Sequence, residues 1–217
     1  MFLMNALYFK ADWRYPFPLE STQVGSFENA DGTEIPIPFM HQDVEQIRSF
    51  RDSQLSVVEL PFADDTYSLN VILPAQDITP DQLIAALSPD RLQTLFEDDL
   101  LRGRILLDLP RFEIEYKVSL REVLESMGMH IAFDPQRADF SRIGGAVGGN
   151  LFLTKVEHKT YLKIDEKGAE GAAVTSVGVG VTSVPPSFRF DRPFVFILRN
   201  NKTGVFLFAG KIESLAV

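Results

Sequence analysis

An α+β fold dominated by antiparallel sheet is what this 217-residue chain predicts. Three observations carry the prediction. Short runs of β-branched and aromatic residues, parted by polar turns, fill most of the sequence. Helical patterns are few and short. No fixed-period repeat and no linker separates two cores, so one domain spanning 1–217 is expected.

Taken in order, Phe2 to Phe9 is a near-continuous apolar run, the pattern of a strand covered on both faces. Ile35–Met40, Gln46–Phe50 and Leu55–Leu60 are short strands separated by turns such as Asp31-Gly32 and Arg51-Asp52-Ser53. Tyr67–Leu73 follows another turn and stops at Pro74. Ile105–Tyr116 is long, and Pro110 inside it demands a bulge or an edge position, since proline donates no ladder hydrogen bond. Leu151–Ile164, Phe188–Arg199 and Val205–Ile212 complete the strands. Thr79-Pro80 and Ser88-Pro89 are cap-then-proline starts for helices over Asp81–Leu87 and Asp90–Phe96. Ser119 is placed to cap a third helix, with Leu120, Val123, Leu124 and Met127 on one face and Gly128 at its end.

Composition narrows the function. The formal charge of −9 argues against nucleic acid or an anionic membrane as the main partner, because both need a basic face. The absence of cysteine removes disulfides, thiol catalysis and Cys-ligated zinc. No run of eighteen apolar residues is present, so no membrane-spanning helix is expected. The start, MFLMNALYFKADW, reads as a buried strand and not as a signal peptide. His41, His130 and His158 lie far apart without ligand spacing, so neither a metal nor another cofactor is expected. A Ser/His/Asp triad leaves no trace in spacing, but the strained-turn G-x-S-x-G signature is absent. Gly144-Gly145-Ala146-Val147-Gly148-Gly149 lacks the Lys-Ser/Thr of a phosphate cradle and reads as a surface loop. Asn201-Lys202-Thr203 fits a glycosylation acceptor, and equally a hairpin turn.

The segment from Asp165 to Pro186, DEKGAEGAAVTSVGVGVTSVPP, carries no large side chain. Its odd positions from Ala169 onward hold no charge, while Glu170 falls in the even set, so a strand of period two can bury the odd face. No proline interrupts before Pro185-Pro186. A small-residue linker is the plain alternative, against which stands the alternation of Val and Thr; an ordinary edge strand fits poorly with so much Gly and Ala.

IDEKGAEGAAVTS resembles the reactive-loop hinge of serpins, the suicide inhibitors of serine proteases. NALYFKADW resembles that family's third strand of the main sheet. LPRFEIEYKVSLREVLESMGM resembles its sixth strand and following helix, VEHKTYLKIDEKG its fifth strand, and FRFDRPFVFILRNNKTGVFLFAGKI its closing hairpin. The resemblance covers nearly the whole chain in the family's order. It implies a serpin-like fold, with the reactive loop at about 166–186 and the N-terminal part of the family's fold, most helices and the first two strands of the main sheet, missing. A truncated gene product, or one piece of a larger one, is therefore expected.

The roles that follow are those the resemblance implies. Gly168 and Ala169 match the hinge, and Gly171, Ala172 and Ala173 its small-residue run, with Thr175 where the family has threonine. Gly171 stands where alanine is commoner, and Ala169 replaces Thr or Ser. Asn5 and His158 match polar residues meeting where the sheet opens, although His158 reads equally as a core histidine. Trp13 matches the point of first insertion, its bland alternative being core packing. Glu166 and Arg111 match an ion pair at the head of the fifth and sixth strands. The cut bond falls at Thr182-Ser183, or one residue earlier at Val181. The implied function is suicide inhibition of a serine protease through a covalent acyl complex, with no catalytic residue of its own. The uncharged Thr182 favours an elastase-like or subtilisin-like target. A secreted protein is implied by the resemblance. The alternatives are a non-inhibitory serpin, an inactive fragment and a hydrolytic enzyme.

Overall fold

The computed structural model describes residues 1–144, 150–169 and 184–216. In chain order its elements are β1 (Phe2–Tyr8), β2 (Ala11–Asp12), β3 (Gln23–Glu28), β4 (Glu34–Arg51), β5 (Leu55–Pro61), β6 (Tyr67–Pro74), α1 (Pro80–Ala86), α2 (Pro89–Thr94), β7 (Leu101–Pro110), β8 (Phe112–Ser119), α3 (Arg121–Ser126), β9 (Lys155–Ile164), β10 (Gly168–Ala169), β11 (Ser187–Arg189), β12 (Phe194–Asn200) and β13 (Phe206–Ile212). They form two compact units: Met1–Phe9 with Glu113–Lys163, and Lys10–Phe112 with Ile164–Val217.

The larger unit is built on a sheet of order β11-β7-β4-β5-β6-β12-β13, with β3 paired to β4. Every neighbouring pair is antiparallel except β11 with β7. Valine, isoleucine and leucine on β5, β6 and β12 make these strands stiff and apolar, so they take the centre. Leu55, Val57, Ile72, Val195 and Ile197 pack against Leu83, Leu95, Phe96 and Leu100. Elsewhere in the unit Phe194 gathers Phe27, Phe112 and Phe190 around itself in edge-on contacts.

The helix starts follow their sequence signals. Thr79 caps α1 through a reciprocal pair: Gln82 N–H donates to Thr79 Oγ1 at 3.2 Å, and Thr79 N–H donates to Gln82 Oε1 at 2.8 Å. Ser88 caps α2, with Pro89 in the first turn where its missing N–H removes no bond. The third start is corrected: Ser119 is the last residue of β8, no side chain caps α3, and Leu120 donates its N–H to Val156 O. The predicted common face is corrected as well. Leu120 and Leu124 pack into a small cluster with Phe133, Leu153 and Val156, whereas Val123 and Met127 are exposed.

The smaller unit carries the sheet β1-β9-β8. β1 runs parallel to β9 in the register Phe2 to Lys155 through Tyr8 to Tyr161, and the rings of Tyr8 and Tyr161 stack at 6.3 Å. Glu157, buried in β9, pairs with Lys117 and Lys155; the hydrogen bond from Lys155 contributes most to holding its carboxyl below the usual range. The expectation that β1 is covered on both faces is corrected, because Phe2, Leu3, Met4 and Tyr8 are exposed.

Candidate functional site

The residues matched to the hinge, Glu166 to Ala169, lie in the larger unit, where the chain turns back after Ile164. Asp165 and Gly168 form a tight bridge, and Gly168–Ala169 then pair antiparallel with Ala11–Asp12. Gly168 has φ of +137°, a conformation that side-chain-bearing residues rarely adopt. An added Cβ there would meet the carbonyl oxygen of Ala11 at 2.3 Å. Glycine is therefore required both by the turn and by the close approach of β2.

Trp13, just after β2, holds this turn from the facing segment. It is buried, stacked on Phe62 with ring centroids 4.5 Å apart and edge-on to Phe17. Its indole N–H donates to Asp165 O at 2.8 Å, and its backbone N–H donates to Lys167 O at 2.9 Å. A tryptophan suits this place because it fills core volume and still carries a donor for a turn carbonyl. Trp13→Phe keeps the stack but strips the donor, and is expected to lower stability by about 1–2 kcal/mol. Urea unfolding followed by far-UV circular dichroism measures the loss.

Glu166, at the start of the hinge, is buried with only 5% of its surface exposed. Arg111, next after the end of β7, forms an ion pair with it, and Thr22 donates its hydroxyl to the same carboxylate oxygen at 2.6 Å. Phe17 N–H donates to the Glu166 carbonyl at 2.9 Å. Burial pushes the Glu166 carboxyl up, but the hydrogen bonds from Arg111 and Thr22 outweigh it and hold the group below its ordinary value. The carboxylate thus ties the turn at 165–168 to two segments remote in sequence.

In the smaller unit, Asn5 and His158 are Cα partners at the middle of the β1–β9 ladder. Gly171, Ala172, Ala173, Thr175, Val181, Thr182 and Ser183 lie outside the described residues, as does all but Gly144 of the glycine-rich run 144–149. Asn201 is committed to the turn it sits in: its amide nitrogen donates to Asp65 O and to Ser68 Oγ at 2.7 Å. Two contributors escaped the sequence reading, Thr22 and the two-residue strand β2. Neither carries a local signal, for their meaning depends wholly on the distant hinge they meet.

The larger unit thus combines a sheet of this order with a buried carboxylate beside a glycine turn, and the smaller unit carries the parallel pair β1–β9. The serpin (serine protease inhibitor) family model matches residues 1–215, and the chain belongs to the serpin family. It is 30% identical over 216 residues to plasminogen activator inhibitor 1 of Neovison vison, covering 98% of this chain and 54% of that protein. It is 34% identical over 217 residues to iripin-2 of Ixodes ricinus, covering 98% and 53%. Among solved structures, the native state of tengpin, a thermophilic serpin, superposes with a TM-score of 0.85 at 31% identity, over 99% of this chain and 55% of tengpin. The chain spans about half the length of these relatives.

Proposed function

We propose that this chain carries the protease-trapping part of a serine protease inhibitor, with residues 166–186 as its reactive segment. The observation that carries the reading is the pairing of an anchored glycine hinge at Gly168 with a sequence, Ala169 to Thr175, free of any bulky or charged residue at its odd positions. The target protease's serine hydroxyl attacks the carbonyl carbon of Thr182, and the C–N bond to Ser183 breaks. The protease's base delivers the proton to the departing Ser183 amine, leaving an ester between Thr182 and the protease. Before water cleaves that ester, the segment on the Gly168 side enters between β1 and β9 as a new strand. The β1–β9 ladder over Phe2–Tyr8 and Lys155–Tyr161 parts, and a strand entering there bonds to a neighbour on each side. Asn5 and His158 stand at the middle of the ladder that opens, and Ala169, Gly171, Ala173 and Thr175 form the inward face.

An uncharged Thr182 suits an elastase-like or subtilisin-like protease, because trypsin-like enzymes select Lys or Arg at the cut position. Incubation with elastase followed by a denaturing gel tests the trap. A band near the summed masses supports inhibition, and cleavage without such a band overturns it in favour of a non-inhibitory substrate. Thr182→Arg is expected to move complex formation from elastase toward trypsin by at least about tenfold, equivalent to about 1.4 kcal/mol of differential recognition. Unchanged elastase trapping with trypsin still inactive would place the cut bond elsewhere.

A further inference from the structure

The reactive segment has a second attachment, at its C-terminal side, which the proposed function leaves unexplained. There the chain forms β11, only three residues long, in parallel pairing at the edge of the large sheet. Leu106 N–H donates to Pro186 O at 3.0 Å, and Phe190 N–H to Asp108 O at 3.0 Å. A three-residue parallel edge strand holds weakly by its backbone alone. Side chains supply the rest.

Arg51, the last residue of β4, donates from Nη2 to Ser187 O at 2.7 Å and from Nε to Ser56 Oγ at 2.9 Å. Its guanidinium also lies 4.3 Å over the ring of Phe188, which is itself buried. Arg189 takes the opposite side. Its guanidinium sits 4.8 Å over the ring of Phe39, its Nε donates to Asp191 at 3.0 Å and its Nη1 to Asp108 Oδ2 at 3.4 Å. The second oxygen of Asp108 meets His41 Nδ1 at 2.7 Å, which fixes the carboxylate. The space for Arg189 depends on Gly25, where an added Cβ would lie 2.8 Å from the Phe39 ring and 3.0 Å from Arg189 Nη2. Two guanidiniums, each stacked on an aromatic ring and each hydrogen-bonded, one reaching in from β4 and the other reaching out from β11 itself, thus fasten Ser187–Arg189 to the sheet.

We infer that Arg51 and Arg189 are positioning residues for the reactive segment, pinning its C-terminal stem to β7 so that the bond near Thr182-Ser183 is held ready for a protease. This inference rests on the function proposed above. A loosened stem has to be ordered at the moment the protease docks, which slows recognition without altering the target bond.

The test uses the full chain and the variants Arg51→Ala, Arg189→Ala, their combination and Arg51→Lys. Amide hydrogen exchange is followed at Phe188–Phe190 and, as a reference, in β5 and β6; in parallel, the loss of intact chain is timed with elastase. The double variant is expected to exchange about tenfold faster at Phe188–Phe190 and to react about tenfold more slowly, with β5 and β6 unchanged. Arg51→Lys keeps the charge but loses the planar fork, and falls between the parent and Arg51→Ala. Unchanged exchange at the stem overturns the clamp. Faster exchange with an unchanged reaction rate reduces the two arginines to structural staples and overturns the positioning role. The proposed inhibition fails on a separate readout, the absence of a covalent band from the parent.

Discussion

Gly168→Ala is expected to destabilise the larger unit by about 2–6 kcal/mol, adding backbone strain at a positive φ to forced overpacking. The backbone at +137° disfavours any side chain, and the new Cβ would meet Ala11 O at 2.3 Å and both Asp12 Cα and Trp13 N at 2.8 Å. All three atoms are main chain, so no flexible side chain can swing aside. Relief requires β10 to leave β2, which also weakens the bonds from Trp13 to Asp165 and Lys167. The chain holds a single tryptophan, and it is buried beside this turn, so its fluorescence reports the local loss directly during urea unfolding. Gly103→Ala is the control, since its added Cβ meets nothing within 4 Å. A change below about 1 kcal/mol for Gly168→Ala would show that the turn relaxes without penalty.

Much of this architecture was written in local sequence. The caps at Thr79 and Ser88 each sit one residue before a proline, and local hydrogen-bond chemistry alone decides such starts. Pro110, read as a bulge or edge position within one long strand Ile105–Tyr116, instead ends β7, and β8 begins at Phe112, with Arg111 N–H turning to Pro38 O. Longer-range features were not legible. The runs 35–40 and 46–50 read as two strands but form one, β4, because Asp43 to Gln46 break the apolar alternation at an irregularity between Val44 and Ile47 in the pairing with β7. Strand β3 was passed over because Gln23–Glu28 has little apolar content and gains its place from β4. The helix start at Ser119 failed for a similar reason: β8 continues through that serine, and Val156 takes up the next backbone donor.

The site divides along the same line. A glycine followed by small residues is visible as composition, and the family's order of motifs points to Glu166, Arg111 and Trp13. What composition cannot carry is the geometry of closure. Thr22 and Glu166 stand 144 residues apart, and β11 is fastened by Arg51, stacked on Phe188, and by its own Arg189, stacked on Phe39, with both partners far upstream. Thr22 and Arg51 are ordinary surface-type residues in their own neighbourhoods. Only the tertiary contact gives each its place, which is why the family's motifs pointed to Glu166 and Arg111 while Thr22 and Arg51 left no trace in the pattern.

Glu166→Gln is the second large expected effect, a loss of about 1–3 kcal/mol at neutral pH. Breaking a fully buried pair costs about 3–5 kcal/mol; here Arg111 is 39% exposed, so water takes up part of its freed charge and the loss is smaller. The pH dependence has a defined sign. The folded carboxyl titrates below its ordinary value of 4.5, so its contribution is complete above that pH and disappears as the pH falls through the folded value. The parent and Glu166→Gln should therefore differ most above about pH 5 and converge at lower pH. Unfolding midpoints taken across this range decide the matter, and a gap that persists unchanged into acid would show that the ion pair is not its source. Thr22→Val provides the internal check. It removes one donor to the same oxygen, and in a double-mutant cycle with Glu166→Gln its effect should largely vanish, because the valine costs stability only while the carboxylate it deserts is charged and buried. Since Glu166 is the residue from which the proposed reactive segment departs, the same variant should also release the hinge more readily, tying the electrostatics of one buried carboxylate to the speed at which the segment can move.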